Sequence, residues 1–255
     1  LGLALLAARI YTRARIVRKM GWDDWTMIVA TILAVVASAI VTMEVHYGVG
    51  KHAAYIPPPD LIKAVKWIWL SAPFSTMSAC FGKISIALLI MRINGNRNKP
   101  YTIFLWVLIV LLFIINLLLS IITFAQCTPV YWLWEQLNPI SAMQGGGGGS
   151  CWDPNIQKNY GYFQGAFSAL SDLILALFPI LIIKNLKLDL KVKIGLCAVM
   201  GLGIIATVAA CIKTVALQNL ATPDFTYNAI ELVYWFMTEN WAIVIAACIP
   251  TLGPL

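Results

Sequence analysis

The segment IFLWVLIVLLFIINLLLSIITF, residues 103–124, contains no charged side chain and one amide, Asn116. A helix that crosses a bilayer needs roughly 20 mostly apolar residues. This run therefore predicts a transmembrane span, and on either side of it the same pattern recurs between short polar loops. Further spans are expected at Trp25 to Val45, Trp67 to Met91, Tyr160 to Ile183, Ile194 to Leu217 and Ala229 to Pro250. The apolar stub Leu1 to Ile10 is too short to span and carries no signal-peptide features, so it reads as the end of a truncated helix. The expected fold is an all-α membrane protein, one bundle of seven transmembrane helices over residues 1–255 with its first helix incomplete.

Composition agrees. Of 255 residues, 60% are hydrophobic and 11% charged, and the mean hydropathy is +0.82, far above a water-soluble domain. A disordered chain is excluded, as is a nucleic-acid module displaying the net charge of +7 on a soluble surface. Six cysteines in this length are too dilute for a disulfide-framed mini-protein.

Positive charge gives the orientation, because Lys and Arg are retained on the cytoplasmic side. One set of alternate loops holds Arg9, Arg13, Arg15, Arg18, Lys19, Arg92, Arg97, Lys99, Lys184, Lys187, Lys191 and Lys193; the other holds Lys51, Lys63, Lys66 and Lys158. That split predicts the N-terminus outside and the C-terminus in the cytoplasm. On the outer side, Trp132, Trp134 and Trp152 suit the membrane interface, where an apolar ring keeps its N–H wet. Cys127 and Cys151 share that oxidising side, whereas Cys80, Cys197, Cys211 and Cys248 fall within spans. A Cys127–Cys151 bridge is expected, with two free thiols as the alternative. Gly145 to Gly149 with Ser150 reads as a flexible spacer in the outer loop, either a natural expansion or a linker.

An ionisable residue inside a span costs about 3 kcal/mol on insertion scales, so it marks the first place to look for function. Lys83, Asp172 and Glu239 all fall near mid-bilayer, about 12 to 16 Å from the inner helix ends at 1.5 Å per residue. Lys83 shares a stripe with Ala72, Thr76, Ala79 and Ala87, opposite Phe74, Met77, Phe81, Ile84, Leu88 and Met91. Asp172 shares one with Gly161, Gly165, Ala169, Ala176 and Pro179. Small residues at helical spacing mark helix–helix seams in membranes, so both charges face protein. Two readings stand side by side: a polar core of Lys83, Asp172 and Glu239 that binds a ligand, relays a proton or switches between two pairings, and a buried structural ion pair with one extra protonated acid. Asn116, Thr238 and Asn240 are placed to join either.

Shorter patterns mark helix ends. Gly21-Trp22-Asp23-Asp24-Trp25 opens a helix, and its carboxylates are expected to cap free N–H groups or to pair with Arg9 or Arg13 as a cytoplasmic lock. Glu44, His46 and His52 flank Gly48-Val49-Gly50, a tight turn rather than a metal site. Gly201-Leu202-Gly203 lies within a span with no preceding strand and reads as close helix packing, not a dinucleotide motif. The final span, Ala229 to Pro250, contains no lysine for a retinal Schiff base. No catalytic constellation and no cofactor is expected.

These pieces together resemble the fungal rhodopsin-domain family of seven-helix integral membrane proteins. The resemblance is carried by Arg9 and Arg13 with Gly21, Asp23 and Asp24; by Gly48, Gly50 and His52; by KISIALLIMRI with Lys83 and Arg92; by CTPVYWLW with Cys127, Pro129 and Trp134, and then Cys151. It continues through Asp172 and Pro179, Gly201 and Gly203, and Glu239 with the ending CIPTLGPL. The order and spacing carry the likeness, which runs through nearly the whole chain. It implies a fungal, receptor-like protein without retinal, multi-pass in the plasma membrane. Its partners would be the lipid bilayer, an unknown small-molecule or lipid ligand and a cytoplasmic signalling protein, with no nucleic acid. The chain departs from the family in Gly253, where a basic residue often stands, and in its glycine run. The alternative function is an intramembrane enzyme or carrier for an apolar metabolite, with Asp172 or Glu239 as a buried acid.

Overall fold

The structure is a computed structural model that describes residues 1–95, 99–135, 149–183, 190–216 and 225–252. Its elements run α1 (Gly2–Tyr11), a π-helical turn (Thr12–Ile16), α2 (Trp22–His46), α3 (Pro58–Asn94) and α4 (Lys99–Ala125). After β1 (Cys127–Thr128) and α5 (Trp132–Glu135) come β2 (Ser150–Cys151), α6 (Pro154–Ile183), α7 (Leu190–Ala216) and α8 (Phe225–Cys248).

Among the described residues, five helices are long and apolar enough to cross a membrane: Trp22–His46, Pro58–Asn94, Lys99–Ala125, Pro154–Phe178 and Thr226–Thr251. They coincide with five of the six full-length spans read from the sequence. The remaining one falls on α7, where the side chains of residues 190–199 lie outside the description; the described part, Met200–Ala216, is a shorter apolar stretch. The glycine spacer at 145–148 likewise lies outside the described residues, as do Arg97, Lys184 and Lys187.

Local chemistry explains the ends. Three consecutive prolines, Pro57 to Pro59, lead into α3, where a missing N–H costs nothing because the first turn has no acceptor for it. The helix thus starts nine residues before the expected Trp67. It stops at Gly95, whose φ of 57° is left-handed and is read easily only by glycine. Pro73 sits inside α3 and cannot donate to the carbonyl of Trp69; Thr76 Oγ1 donates to Ala72 O (2.9 Å) and Pro73 O (3.1 Å) one turn on.

α3 is the axis of the bundle, packed by α2, α4, α6 and α8. Its stripe holding Lys83 and Ala87 is buried as expected, but so are Ile84, Ile86, Leu89 and Ile90. Of the opposite stripe, Ile84 is buried and Phe74, Met77, Phe81, Leu88 and Met91 are partly buried, with Phe81 against Phe113 of α4; periodicity alone distinguishes two faces, not three neighbours. Lipid instead meets α4, whose Ile103, Trp106, Val107 and Val110 are more than half exposed in the protein alone.

Small residues set the seams. Ala30, Ala34 and Ala37 on α2 are fully buried, and Ser78 Oγ of α3 donates to Ala30 O at 2.8 Å. A Cβ on Gly82 would lie 2.5 Å from Ile243 Cγ2, and one on Gly203 would lie 2.6 Å from the Ala176 Cβ. These contacts bring α8 and α7 close enough for their charged residues to reach α3 and α6. At the opposite end of the bundle from the Arg9 cluster, Cys127 and Cys151 pair across the antiparallel β1–β2 ladder and form a disulfide, tying the loop to the start of α6.

Candidate functional site

The helices deliver four charges to one place in the middle of the bundle. Lys83 of α3 donates through Nζ to Ser168 Oγ (2.5 Å), Ser168 O (3.1 Å) and Glu239 Oε1 (3.2 Å). It also lies 3.0 Å from Asp172 Oδ2 of α6. Ser168 Oγ donates onward to Glu239 Oε1 at 2.9 Å. The second carboxylate oxygen, Glu239 Oε2, accepts from Lys213 Nζ of α7. All four charged residues are at most 5% exposed. The result is an alternating row, Lys213–Glu239–Lys83–Asp172, whose formal charges sum to zero.

Such a row suits burial, since an isolated charge would carry a desolvation cost of several kcal/mol. Asp172 is held more loosely than Glu239: its Oδ2 makes an ion pair but no hydrogen bond of good geometry. Lys213 has a second neighbour in the Phe236 ring, 4.6 Å from Nζ to the centroid.

Lys213 also borders a cavity of about 390 Å³. Ile68, Trp69 and Pro73 of α3, Leu119 of α4, and Leu232 and Phe236 of α8 form its apolar walls. Thr76, Thr123, Gln164 and Thr214 add polar points, and Asn155, Gln157 and Lys158 at the start of α6 stand at the end nearest the disulfide. A volume in the range of about 300–1,000 Å³, apolar walls and a few convergent polar groups are the features of a small-molecule site. Chemically, the cavity offers an apolar body room and gives its polar end an ammonium group that already has a counter-ion to exchange.

The expected members of the polar core do not all meet. Lys83, Asp172 and Glu239 do. Asn116 instead donates to Leu112 O (2.7 Å) and accepts from Gln164 Nε2 (2.9 Å), joining α4 to α6 beside the cavity. Asn240 donates to Ser75 Oγ of α3 at 2.6 Å. Thr238 bonds its own helix at Tyr234 O. Lys213 and Ser168, absent from the sequence-derived set, are the additions. Lys213 follows Ala206, Ala209 and Ala210, all buried, at the same small-residue spacing that marks Lys83 and Asp172.

A second charge cluster closes the other end. Arg9 donates from Nε to Asp24 Oδ1 (2.9 Å), from Nη2 to Asp23 Oδ2 (3.0 Å) and from Nη1 to Ala247 O (2.6 Å). Arg92 Nη1 donates to Asp23 Oδ1 at 3.1 Å, and Ser85 Oγ to the Asp23 carbonyl at 2.6 Å. Asp24 caps as well as pairs, accepting from Gly21 N at 3.0 Å while it holds Arg9. Arg13 stands 3.9 Å from each aspartate, and burial, with Arg92 nearby, lowers its pKa from the usual arginine value.

The turn after α2 separates the residues that suggested a metal. Gly48 (φ 105°) and Gly50 (φ 99°) take left-handed conformations, and Gly50 N donates to Thr226 O at 3.0 Å. His52 stacks on Tyr227 at 4.4 Å between centroids, while His46 packs against Tyr47. Glu44 is fully buried near Ser71, with neither carboxylate oxygen in a hydrogen bond of good geometry. Among the described residues, no three His, Cys, Asp or Glu side chains gather as metal ligands.

Comparison with known proteins gives the family of the chain. The chain is 23% identical to the polyenoic acids biosynthesis gene cluster protein Ba17b of Metarhizium anisopliae, over all of this chain and 70% of the relative. It is 25% identical to a SAT4 family membrane protein of Emericella nidulans, over 93% of this chain and 55% of that one. With the Fugralins biosynthesis cluster protein 2 of Gibberella zeae it shares 27% identity over 75% of this chain and 47% of the relative. The chain thus spans between 47% and 70% of these relatives' lengths. No solved structure matches it. The model of the fungal rhodopsin domain matches residues 8–255, so this multi-pass membrane protein belongs to the fungal rhodopsin-domain family.

Proposed function

We propose that the chain is a receptor-like, seven-span protein of the plasma membrane, a single transmembrane domain over residues 1–255 that binds a small, mostly apolar molecule without retinal. The observation that carries this reading is the contact between the cavity and the charge row through Lys213. A molecule seated there competes with Glu239 for the Lys213 ammonium group, and each exchange alters the pairing of Lys83 and Asp172 behind it. A ligand can shift an equilibrium only through contacts that differ between two states, and a row of exchangeable ion pairs supplies that difference. The distribution of Lys and Arg supports an N-terminus outside and a cytoplasmic C-terminus. In that orientation the cavity opens outward, and Arg9, Arg13, Asp23 and Asp24 form a lock on the cytoplasmic side.

The test is a thermal-shift screen of the protein in nanodiscs against small apolar acids, alcohols and hydrocarbons, followed by hydrogen exchange. A ligand should raise Tm in the wild type and not in Ala72→Phe, which fills the cavity, and should change exchange across residues 12–24. A panel in which every shift survives Ala72→Phe would count against the cavity.

The second reading is an intramembrane enzyme or carrier for an apolar metabolite, with Asp172 or Glu239 as an acid. Two relatives named for biosynthesis clusters favour it. Deleting the gene and profiling metabolites separates the two: loss of one defined product supports the enzyme or carrier, and an unchanged profile supports the receptor.

A further inference from the structure

We infer that the cavity takes an apolar monocarboxylic acid, with its carboxylate on Lys213 and its hydrocarbon body along the walls formed by α3 and α8. The inference rests on the reading of the cavity as a ligand site and adds the chemical class of the ligand.

The charges of the lining carry it. Among the described residues, the cavity is bordered by two cations, Lys213 within the bundle and Lys158 at its exposed end, and by no Asp or Glu. Its walls are mostly Ile68, Trp69, Pro73, Leu232 and Phe236, and its few polar points, Thr76, Thr123, Gln164 and Thr214 among them, would leave most of a polyhydroxylated or multiply charged molecule unsatisfied. One anionic end and an apolar remainder is the complement of that surface. A cationic ligand would meet two like charges, and a neutral hydrocarbon would leave the ammonium group without use.

Lys213 has the geometry for an exchange. An ammonium group donates three hydrogen bonds, and the Lys213 contacts described here are Glu239 Oε2 and the face of Phe236. If a ligand carboxylate takes Lys213, Glu239 still has Lys83 Nζ and Ser168 Oγ, which stand 3.2 Å and 2.9 Å from its Oε1 in the structure, and draws more on the Lys83 that it shares with Asp172. No buried carboxylate is orphaned by the move, and Lys158 offsets the charge that enters. Gly165 lets α6 and α7 approach closely beside Lys213, since a Cβ there would run into the Thr214 side chain.

The experiment measures saturable binding of tritiated decanoic acid and of its methyl ester to the whole chain in phosphatidylcholine nanodiscs, with empty nanodiscs subtracted. The acid should bind about tenfold or more tightly than the ester, the difference expected of a hydrogen bond to a charged group. Lys213→Gln should erase the difference and Lys213→Arg restore it, which controls for a simple loss of folding. Ala72→Phe should abolish binding of both. If acid and ester bind alike, and equally to Lys213→Gln, the carboxylate assignment is wrong while the cavity stands. If neither binds saturably, the cavity reading falls and the assignment with it.

Discussion

Among the described residues, two buried charge clusters sit in this bundle, and they are built differently. The one at the Arg9 end uses guanidinium forks: Arg9 alone reaches Asp23, Asp24 and Ala247 O, so a single side chain fastens α1 to α2 and α8. The one at mid-bundle uses ammonium groups, point charges on flexible stems, and one of them borders a cavity. Planar forks fix geometry, whereas ammonium groups change partner with little strain. The first cluster therefore holds the fold, and the second has the means to respond to what enters the cavity.

The sharpest way to break that contrast is Arg9→Met. It leaves two buried carboxylates short of their main partner, and the loss should be about 3–5 kcal/mol, seen as a collapse in folded yield and Tm in detergent. Adding Asp23→Asn and Asp24→Asn to the same chain should recover much of it. At mid-bundle, Lys83→Met should cost about 3 kcal/mol, because Ser168, Asp172 and Glu239 all converge on that amine. Lys213→Met should cost distinctly less in thermal unfolding, since Glu239 retains Lys83 and Ser168. Equal losses at Lys83 and Lys213 would make the row a purely structural clamp.

Smaller effects sharpen the picture. Asn116→Ala leaves the buried Gln164 amide without its acceptor and should cost about 1–2 kcal/mol, read as a fall in Tm. Glu44→Gln should leave Tm unchanged or raise it slightly, because no cation among the described contacts compensates that buried carboxylate. A clear fall in Tm would show that Glu44 needs its charge.

Much of this was legible in the residues. Long apolar runs such as 103–124 locate spans because bilayer thickness dictates length, and the small-residue stripes around Lys83 and Asp172 show that both face protein. The bridge between Cys127 and Cys151 follows from two cysteines on one side of the membrane. Lys213 was harder. Its stripe of Ala206, Ala209 and Ala210 carries the same signal, but only the close approach of α7 and α8 brings it to Glu239. Arg92 joining Asp23 across α2 and α3 is likewise a tertiary fact. The cavity has no sequence signature at all, because five helices each contribute part of its wall and a void is defined by what they leave unfilled. Periodicity likewise does not show that α4 packs on the opposite stripe of α3 through Phe81 and Phe113.

Native mass spectrometry of the protein released from fungal membranes tests the division between the two clusters most directly. The contrast predicts a bound apolar small molecule on the wild type and on Arg92→Gln, and none on Ala72→Phe. A bare wild-type chain, or an adduct that persists in Ala72→Phe, would contradict it.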